Sequence, residues 1–349
     1  MDKQRANAFM LRLVGDVATT LAATLLLVGD RLGLFKAMAG AGPLSAADLA
    51  ARTGIAERYA EEWLAVMAGA GYVDAAAGDL RFTLPDEHAQ FLANPASEYY
   101  LGGLFSGLPS MAAMVPKLEA VFRSGGGIAF ADFGTELPAA LAAMNRSVYD
   151  NRLASHWLPA LPGVIDKLRA GGRVVDVGCG AGVVPVAIAR AFPAATVAGI
   201  DLDSHSIDLA RAAARAAGVD VQLEALGVEA LPTEPGWDLV TTFDVVHDLP
   251  DPLAALQHIR RALAPGGTYL MVEPKVADRL QDNLGSPFAR MLYGISCLQC
   301  VPQSLALGGP GLGACWGESR ARALAVQAGF GRFERLEIRS PAMSFYALG

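Results

Sequence analysis

VVDVGCGAG, Val174 to Gly182, decides the fold. Arg173 to Val177 is a short run rich in β-branched residues and reads as a strand. Gly178, Gly180 and Gly182 follow as a tight turn, and Val183 to Phe192 then has the composition of a helix. Glycines between a strand and a helix let backbone approach a ligand closely and expose amides at the helix N-terminus. A dinucleotide-binding G-x-G-x-x-G turn would need a third glycine at position 183, where Val183 stands. The spacing is instead G-x-G-x-G, with the acid Asp176 two residues ahead of the first glycine. That argues against a nicotinamide-dependent dehydrogenase.

Working outward, strands and helices alternate from Gly171 onward, the pattern of a doubly wound α/β sheet. A second strand, Thr196 to Ile200, ends in Asp201, about twenty residues beyond the glycines, where an acid can accept hydrogen bonds from ribose hydroxyls. The segment WDLVTTFDVVHDLPDP, Trp237 to Pro252, holds a further strand. A helix over Leu253 to Leu263, an APGG turn and the strand TYLMVEP ending in Glu273 follow. Ligands of open α/β sheets bind at the carboxyl ends of the strands, so Asp244, His247 and Glu273 are expected at one crevice. FERLEIR and MSFYALG read as a terminal antiparallel pair that completes seven strands. The glycine cluster GGPGLGACWGE, from Gly308, reads as a flexible lid.

VVDVGCGAG followed by GIDLD resembles the first two signatures of class I S-adenosylmethionine-dependent methyltransferases, and the resemblance covers residues 171–349. It implies a Rossmann-like sheet of seven strands and S-adenosylmethionine as cofactor. Gly178, Gly180 and Gly182 would pass the methionine portion, Asp176 would support the loop, Asp201 would hold the ribose, and Leu202 would lie against adenine. The same resemblance extends cofactor contact to Gly227, Val228, Phe243 and Asp244. Many members carry a Gly-Asp pair after the third strand, whereas this chain has Leu226 and Gly227, so adenine would be held by backbone and apolar contact.

His247-Asp248 resembles the His-Asp pair of small-molecule O-methyltransferases that carry an N-terminal winged-helix dimerisation domain. There the histidine is the general base, so His247, Asp248 and Glu273 are the expected catalytic residues. A neutral imidazole takes a hydroxyl proton near pH 7, and a neighbouring carboxylate fixes its tautomer. A related group methylates the carbon of α-keto acids with a metal held by two histidines. Gln299 stands where such sequences often have the second one, so no metal ligand is assigned. Cys297 and Cys300 form a C-x-x-C pair of the kind that holds zinc, but without a second pair they read as two small buried residues.

The N-terminal part is mainly helical. FMLRLVGDVATTLAATLLLVGDRLGLFKAM reads as a helix apolar on more than one face, which a partner subunit would cover as well as the chain's own core. Ser45 and Asp48 form a capping box, a helix follows over about Ala56 to Ala70, and Tyr72-Val73, a turn at Ala77 to Asp79 and Leu80 to Leu84 read as a hairpin. Helix, helix and β wing resemble a winged-helix domain. Its second helix, AERYAEEWLAVM, carries three Glu and one Arg, and the chain's net charge is −7, so phosphate backbones would be repelled. A dimerising scaffold is therefore expected rather than a DNA-binding regulator with a cofactor sensor.

The expected division is 1–94 winged-helix dimerisation domain, 95–170 helical linker and pocket roof, and 171–349 cofactor-binding catalytic domain. The Val17 to Val28 stretch is too short to cross a bilayer, so no membrane association is expected. With 53% hydrophobic and 18% charged residues the chain is an ordered globular protein. Four cysteines in this length suit a reducing cytoplasm. The expected partners are a small-molecule acceptor and a second copy of the chain.

Overall fold

A computed structural model describes residues 1–76, 78, 80–234 and 236–349. The chain forms two compact units, Met1–Leu108 with Ala143–Asn151, and Pro109–Ala142 with Arg152–Gly349.

In the first unit, α1 (Lys3–Arg31) starts at Asp2, whose carboxylate accepts from the amides of Gln4 and Arg5. Helices α2 (Leu34–Met38), α3 (Ala46–Thr53) and α4 (Glu57–Gly69) follow. The Ser45–Asp48 capping box closes the start of α3 in both directions. Gly29 leaves room for Trp63, since a Cβ there would sit 2.5 Å from the indole. Trp63 donates its indole N–H to the Leu25 carbonyl and meets Phe35 edge-on. Leu26, Leu34, Leu49, Leu64 and Met67 complete a core that is closed to water. The wing pairs β1 (Asp74–Ala75) with β2 (Phe82–Thr83), so its first strand begins after Tyr72-Val73. Two residues of the expected turn, Ala77 and Asp79, lie outside the described residues. Arg58, the cation of α4, lies against Glu61 and Glu62.

The first two thirds of α1 leave Phe9, Met10, Leu11, Leu13, Val14, Val17 and Leu21 exposed. The apolar stretch is also longer than Val17 to Val28. Among the described residues α1 is the helix long and apolar enough, by length and composition, to cross a membrane.

The second unit is built on a seven-stranded sheet. Its strands are β3 (Arg173–Val177), β4 (Thr196–Asp201), β5 (Gln222–Ala225), β6 (Trp237–Phe243), β7 (Leu263–Pro274), β8 (Phe333–Arg335) and β9 (Met343–Leu348). Their order is β5-β4-β3-β6-β7-β9-β8. The first five are parallel, and β9 runs antiparallel between β7 and β8. Val174, Val175, Leu239, Val240 and Leu270 are fully buried, as parallel strands covered on both faces require. Each contributes roughly 1.5–3 kcal/mol of burial.

Two sequence expectations change here. APGG lies within β7 rather than in a turn before it, and the β6–β7 register jumps from Trp237↔Leu263 to Leu239↔Thr268 to absorb it. The 308–317 segment is packed rather than a free lid. Gly311 N–H reaches the Ser304 hydroxyl, Ala314 N–H reaches that of Ser296, and Ala314 and Trp316 are buried. Its glycines serve close approach, since a Cβ at Gly309 would stand 2.5 Å from Ser304 Oγ.

Candidate active site

The strand order reverses across the sheet at β3, which is followed by β4 on one side, while β6 lies on the other. The loops after β3 and β6 therefore flank the switch point where open α/β sheets bind ligands.

The glycine turn follows β3. Gly178, Gly180 and Gly182 all have positive φ, at 70°, 51° and 79°, values that favour glycine. Their surroundings differ. A Cβ at Gly178 would strike Val245 at 2.5 Å and one at Gly182 would strike the Ala210 Cβ at 2.7 Å. At Gly180 a Cβ would meet nothing within 4 Å. Gly178 and Gly182 let the loop pack on its neighbours, whereas Gly180 faces an open cradle. Asp201, at the end of β4, accepts the Gly180 amide at 2.8 Å through Oδ2 and the Asp203 amide at 2.9 Å through Oδ1. Burial raises the Asp201 pKa, and those two amides oppose the rise. Asp176 lies beneath the turn and accepts the Thr241 hydroxyl at 2.6 Å. Burial, with the Asp201 charge adding to it, pushes Asp176 up to about 8 against the lowering by Thr241.

The remaining expected cofactor residues lie on neighbouring loops of this unit. Leu202 is exposed directly after β4. Leu226 N–H bonds to the Asp201 carbonyl at 3.0 Å. Gly227 is extended, the Glu229 carboxylate lies against it, and Val228 opens a short 3-10 turn. Phe243 ends β6 and stacks on Trp157 at 6.1 Å. Asp244 has φ of +57°, uncommon for a residue with a side chain and typical of strained functional loops. Its amide is tied to the Val272 carbonyl, and burial, with Glu273 adding to it, pushes its carboxyl to about 7.

His247, Asp248 and Glu273 converge. His247 sits in a 3-10 turn after β6, Glu273 at the end of β7, and both are almost fully buried. Glu273 Oε2 stands 2.5 Å from His247 Nδ1, and Asp248 Oδ1 stands 3.5 Å from Nε2. The carboxylate that orients the ring is thus Glu273, not the adjacent Asp248. Glu273 Oε1 also accepts the Val246 amide at 3.0 Å. Burial disfavours the imidazolium, but the charges of Glu273 and Asp248 outweigh it and hold the ring well above its ordinary pKa. Burial likewise raises Asp248 to about 6.

Sequence reasoning missed two neighbours of this group. Trp316 donates its indole N–H to Glu273 Oε2 at 2.9 Å. Cys300 lies against His247 and Asp248, and its thiol is pushed up by burial to about 12. A ring nitrogen, a carboxylate oxygen and this thiol lie within 4.8 Å of one another. The C-x-x-C pair does not act together, because Cys300 is buried and Cys297 is exposed. Among the described residues this donor group includes no second histidine, and Gln299 instead bonds Gln303. The two-histidine metal set does not fit this chain. His205 and His258 bond the Thr135 and Leu231 carbonyls, His156 meets Ser155, and in the first unit His88 bonds the Tyr72 carbonyl.

Residues 168–308 match the family described as Methyltransferase domain, and residues 20–94 match the Rv2258c-like winged HTH domain. Similar curated proteins include the ubiquinone biosynthesis O-methyltransferases of Bordetella avium and Paracidovorax citrulli. The first is 37% identical over 119 residues, 34% of this chain and 47% of that protein. The second is 41% identical over 114 residues, 31% of this chain and 47% of that protein. The chain therefore spans about half the length of the curated relatives it matches. Among solved structures, human N-acetylserotonin methyltransferase in complex with SAM has a TM-score of 0.68 at 17% identity, covering 100% of this chain and 98% of that one. The mitomycin 7-O-methyltransferase MmcR has a TM-score of 0.63 at 21% identity, covering 99% of both chains. The chain thus shares the fold of these methyltransferase structures, its residues 168–308 matching a methyltransferase domain and its residues 20–94 an Rv2258c-like winged HTH domain.

Proposed function

We propose that the chain transfers a methyl group from S-adenosylmethionine to a hydroxyl oxygen of a small-molecule metabolite, with His247 as the general base. The observation that carries this reading is the buried His247–Glu273 pair at 2.5 Å, on the loop beside the switch point. Glu273 holds Nδ1, so Nε2 is the nitrogen that takes the hydroxyl proton. Asp248, beside Nε2, stabilises the imidazolium that forms.

S-adenosylmethionine, when bound, supplies a methyl group on a sulfonium that needs little activation beyond in-line placement. The open cradle at Gly180 and the Asp201 carboxylate that pins it fit such a ligand. Asp201 would accept from the ribose, Asp176 would support the turn from below, and Gly178 and Gly182 would shape it. Leu202, Gly227, Val228, Phe243 and Asp244 would complete the cofactor contacts. The ubiquinone biosynthesis O-methyltransferase and the mitomycin 7-O-methyltransferase similar to this chain support oxygen as the acceptor atom.

The winged-helix unit would serve as a dimerising scaffold, as the exposed apolar side of α1 and the matched Arg58 favour. Division into 1–94, 95–170 and 171–349 remains the functional partition we propose, and free cysteines fit a cytoplasmic location. Incubating the protein with methyl-labelled S-adenosylmethionine and a set of phenols, catechols and α-keto acids tests the assignment by mass spectrometry. Label on a hydroxyl oxygen is expected. Label on carbon alone, or none with any acceptor, would overturn it.

A further inference from the structure

We propose that Trp316 is a positioning residue for His247, acting through Glu273; this rests on the reading of His247 as the base. Glu273 receives three contacts. Oε1 accepts from the Val246 amide at 3.0 Å, and Oε2 meets both Trp316 Nε1 at 2.9 Å and His247 Nδ1 at 2.5 Å. A backbone amide and an indole can only donate. Both therefore favour Glu273 as a carboxylate, and a carboxylate can only accept from Nδ1. The proton is thereby placed on Nδ1 and the lone pair of the neutral ring on Nε2, the nitrogen a base needs free.

With the Val246 amide alone, a protonated Glu273 could donate through Oε2 to Nδ1. That arrangement puts the ring proton on Nε2 and disables the base. The indole N–H opposes it at that very oxygen. The 308–317 segment is shaped to deliver this donor. Ser304 and Ser296 hold its backbone, and Gly311 and Gly313 take positive φ beside them, so that Trp316 is buried in the same apolar core as Val246 and Tyr346. Other ionisable groups facing the pair are Asp244, Asp248, Cys300 and Cys315 around His247, with Tyr269 and Tyr346 near Glu273. Of all these, the indole is the donor on the oxygen shared with the imidazole.

The test is nitrogen and proton NMR of the full chain labelled in its five histidines, with His247 assigned by the signal lost in His247→Gln. In the wild type the neutral ring is expected as the Nδ1–H tautomer, with its proton far downfield. Trp316→Phe should shift that proton upfield and populate the Nε2–H form. It should also lower kcat about tenfold, the order expected for one hydrogen bond to a charged group, with KM for cofactor and acceptor nearly unchanged. A wild-type ring protonated on Nε2, or a Phe variant with unchanged signal and kcat, overturns the proposal. If the Phe variant does not fold, 3-benzothienylalanine at position 316 removes only the N–H, and the same outcomes apply. Failure of the base reading looks different: His247→Gln would then keep wild-type turnover whatever Trp316 does.

Discussion

Asp201 Oδ2 accepts the amide proton of Gly180 at 2.8 Å, which joins the end of β4 to the glycine turn after β3. The acid therefore has two tasks, fixing the turn and offering its remaining lone pairs to a ligand. Asp201→Asn is expected to weaken S-adenosylmethionine binding at least tenfold, measured by calorimetry, since hydrogen bonds to a charged group are worth about 1.5–3 kcal/mol. The melting temperature should also fall, because an Asn side chain has a single acceptor oxygen where Asp201 accepts two backbone amides, those of Gly180 and Asp203. Unchanged affinity would remove the ribose assignment.

The glycines should separate under substitution. Gly182→Ala forces a Cβ to 2.7 Å from that of Ala210 in a left-handed conformation, and a loss of about 2–4 kcal/mol is expected from overpacking and strain together. Gly180→Ala meets no atom and carries only the conformational cost, about 1–2 kcal/mol. Thermal melts and cofactor titrations on the pair should show Gly182→Ala as the less stable protein and Gly180→Ala as a stable protein with impaired binding.

Asp176 gives a stability test against pH. Its folded pKa, about 8, lies above the value of an unfolded aspartate, so its stabilising contribution is complete below about pH 4 and is lost as pH rises through 8. Asp176→Asn should flatten that loss. Denaturant midpoints of wild type and variant at acid and alkaline pH check it. A wild type that gains stability toward pH 8 relative to the variant would contradict the assignment.

The same linkage sets the activity profile. Burial lowers the His247 pKa, while Glu273 and Asp248 raise it by more, and a base must be neutral to act. The acid limb of kcat/KM is therefore expected above pH 6.5, with activity rising toward the alkaline side. A sulfonium in the cradle repels the imidazolium, so the limb for kcat should lie at lower pH than that for kcat/KM. Initial-rate profiles with the acceptor found by label transfer decide this.

Much of this architecture is legible in the sequence because its signals are local. Glycine spacing, a strand ending in Asp201 and apolar runs at Val174, Leu239 and Leu270 each declare themselves within a few residues. What escaped depends on contacts distant in sequence. APGG has turn chemistry, yet it sits as a bulge inside β7, because β6 pairs with Leu263 before it and with Thr268 after it. The glycines around Trp316 read as flexibility, but Ser296 and Ser304 show them to be places of close packing. Trp316 and Glu273 are 43 residues apart, and no pattern in the chain links an indole to that carboxylate. Cys300 was legible as a cysteine, but its place beside His247 depends on a helical segment packing back onto the β6 loop.

The most direct test of the central claim is label transfer from methyl-labelled S-adenosylmethionine by the wild type and by His247→Gln, with cofactor affinity measured on the same samples. The account predicts transfer to a hydroxyl oxygen by the wild type, and a variant that binds the cofactor normally but transfers about 10²–10⁴-fold more slowly, the usual contribution of a positioned general base. Equal transfer by both proteins would contradict it.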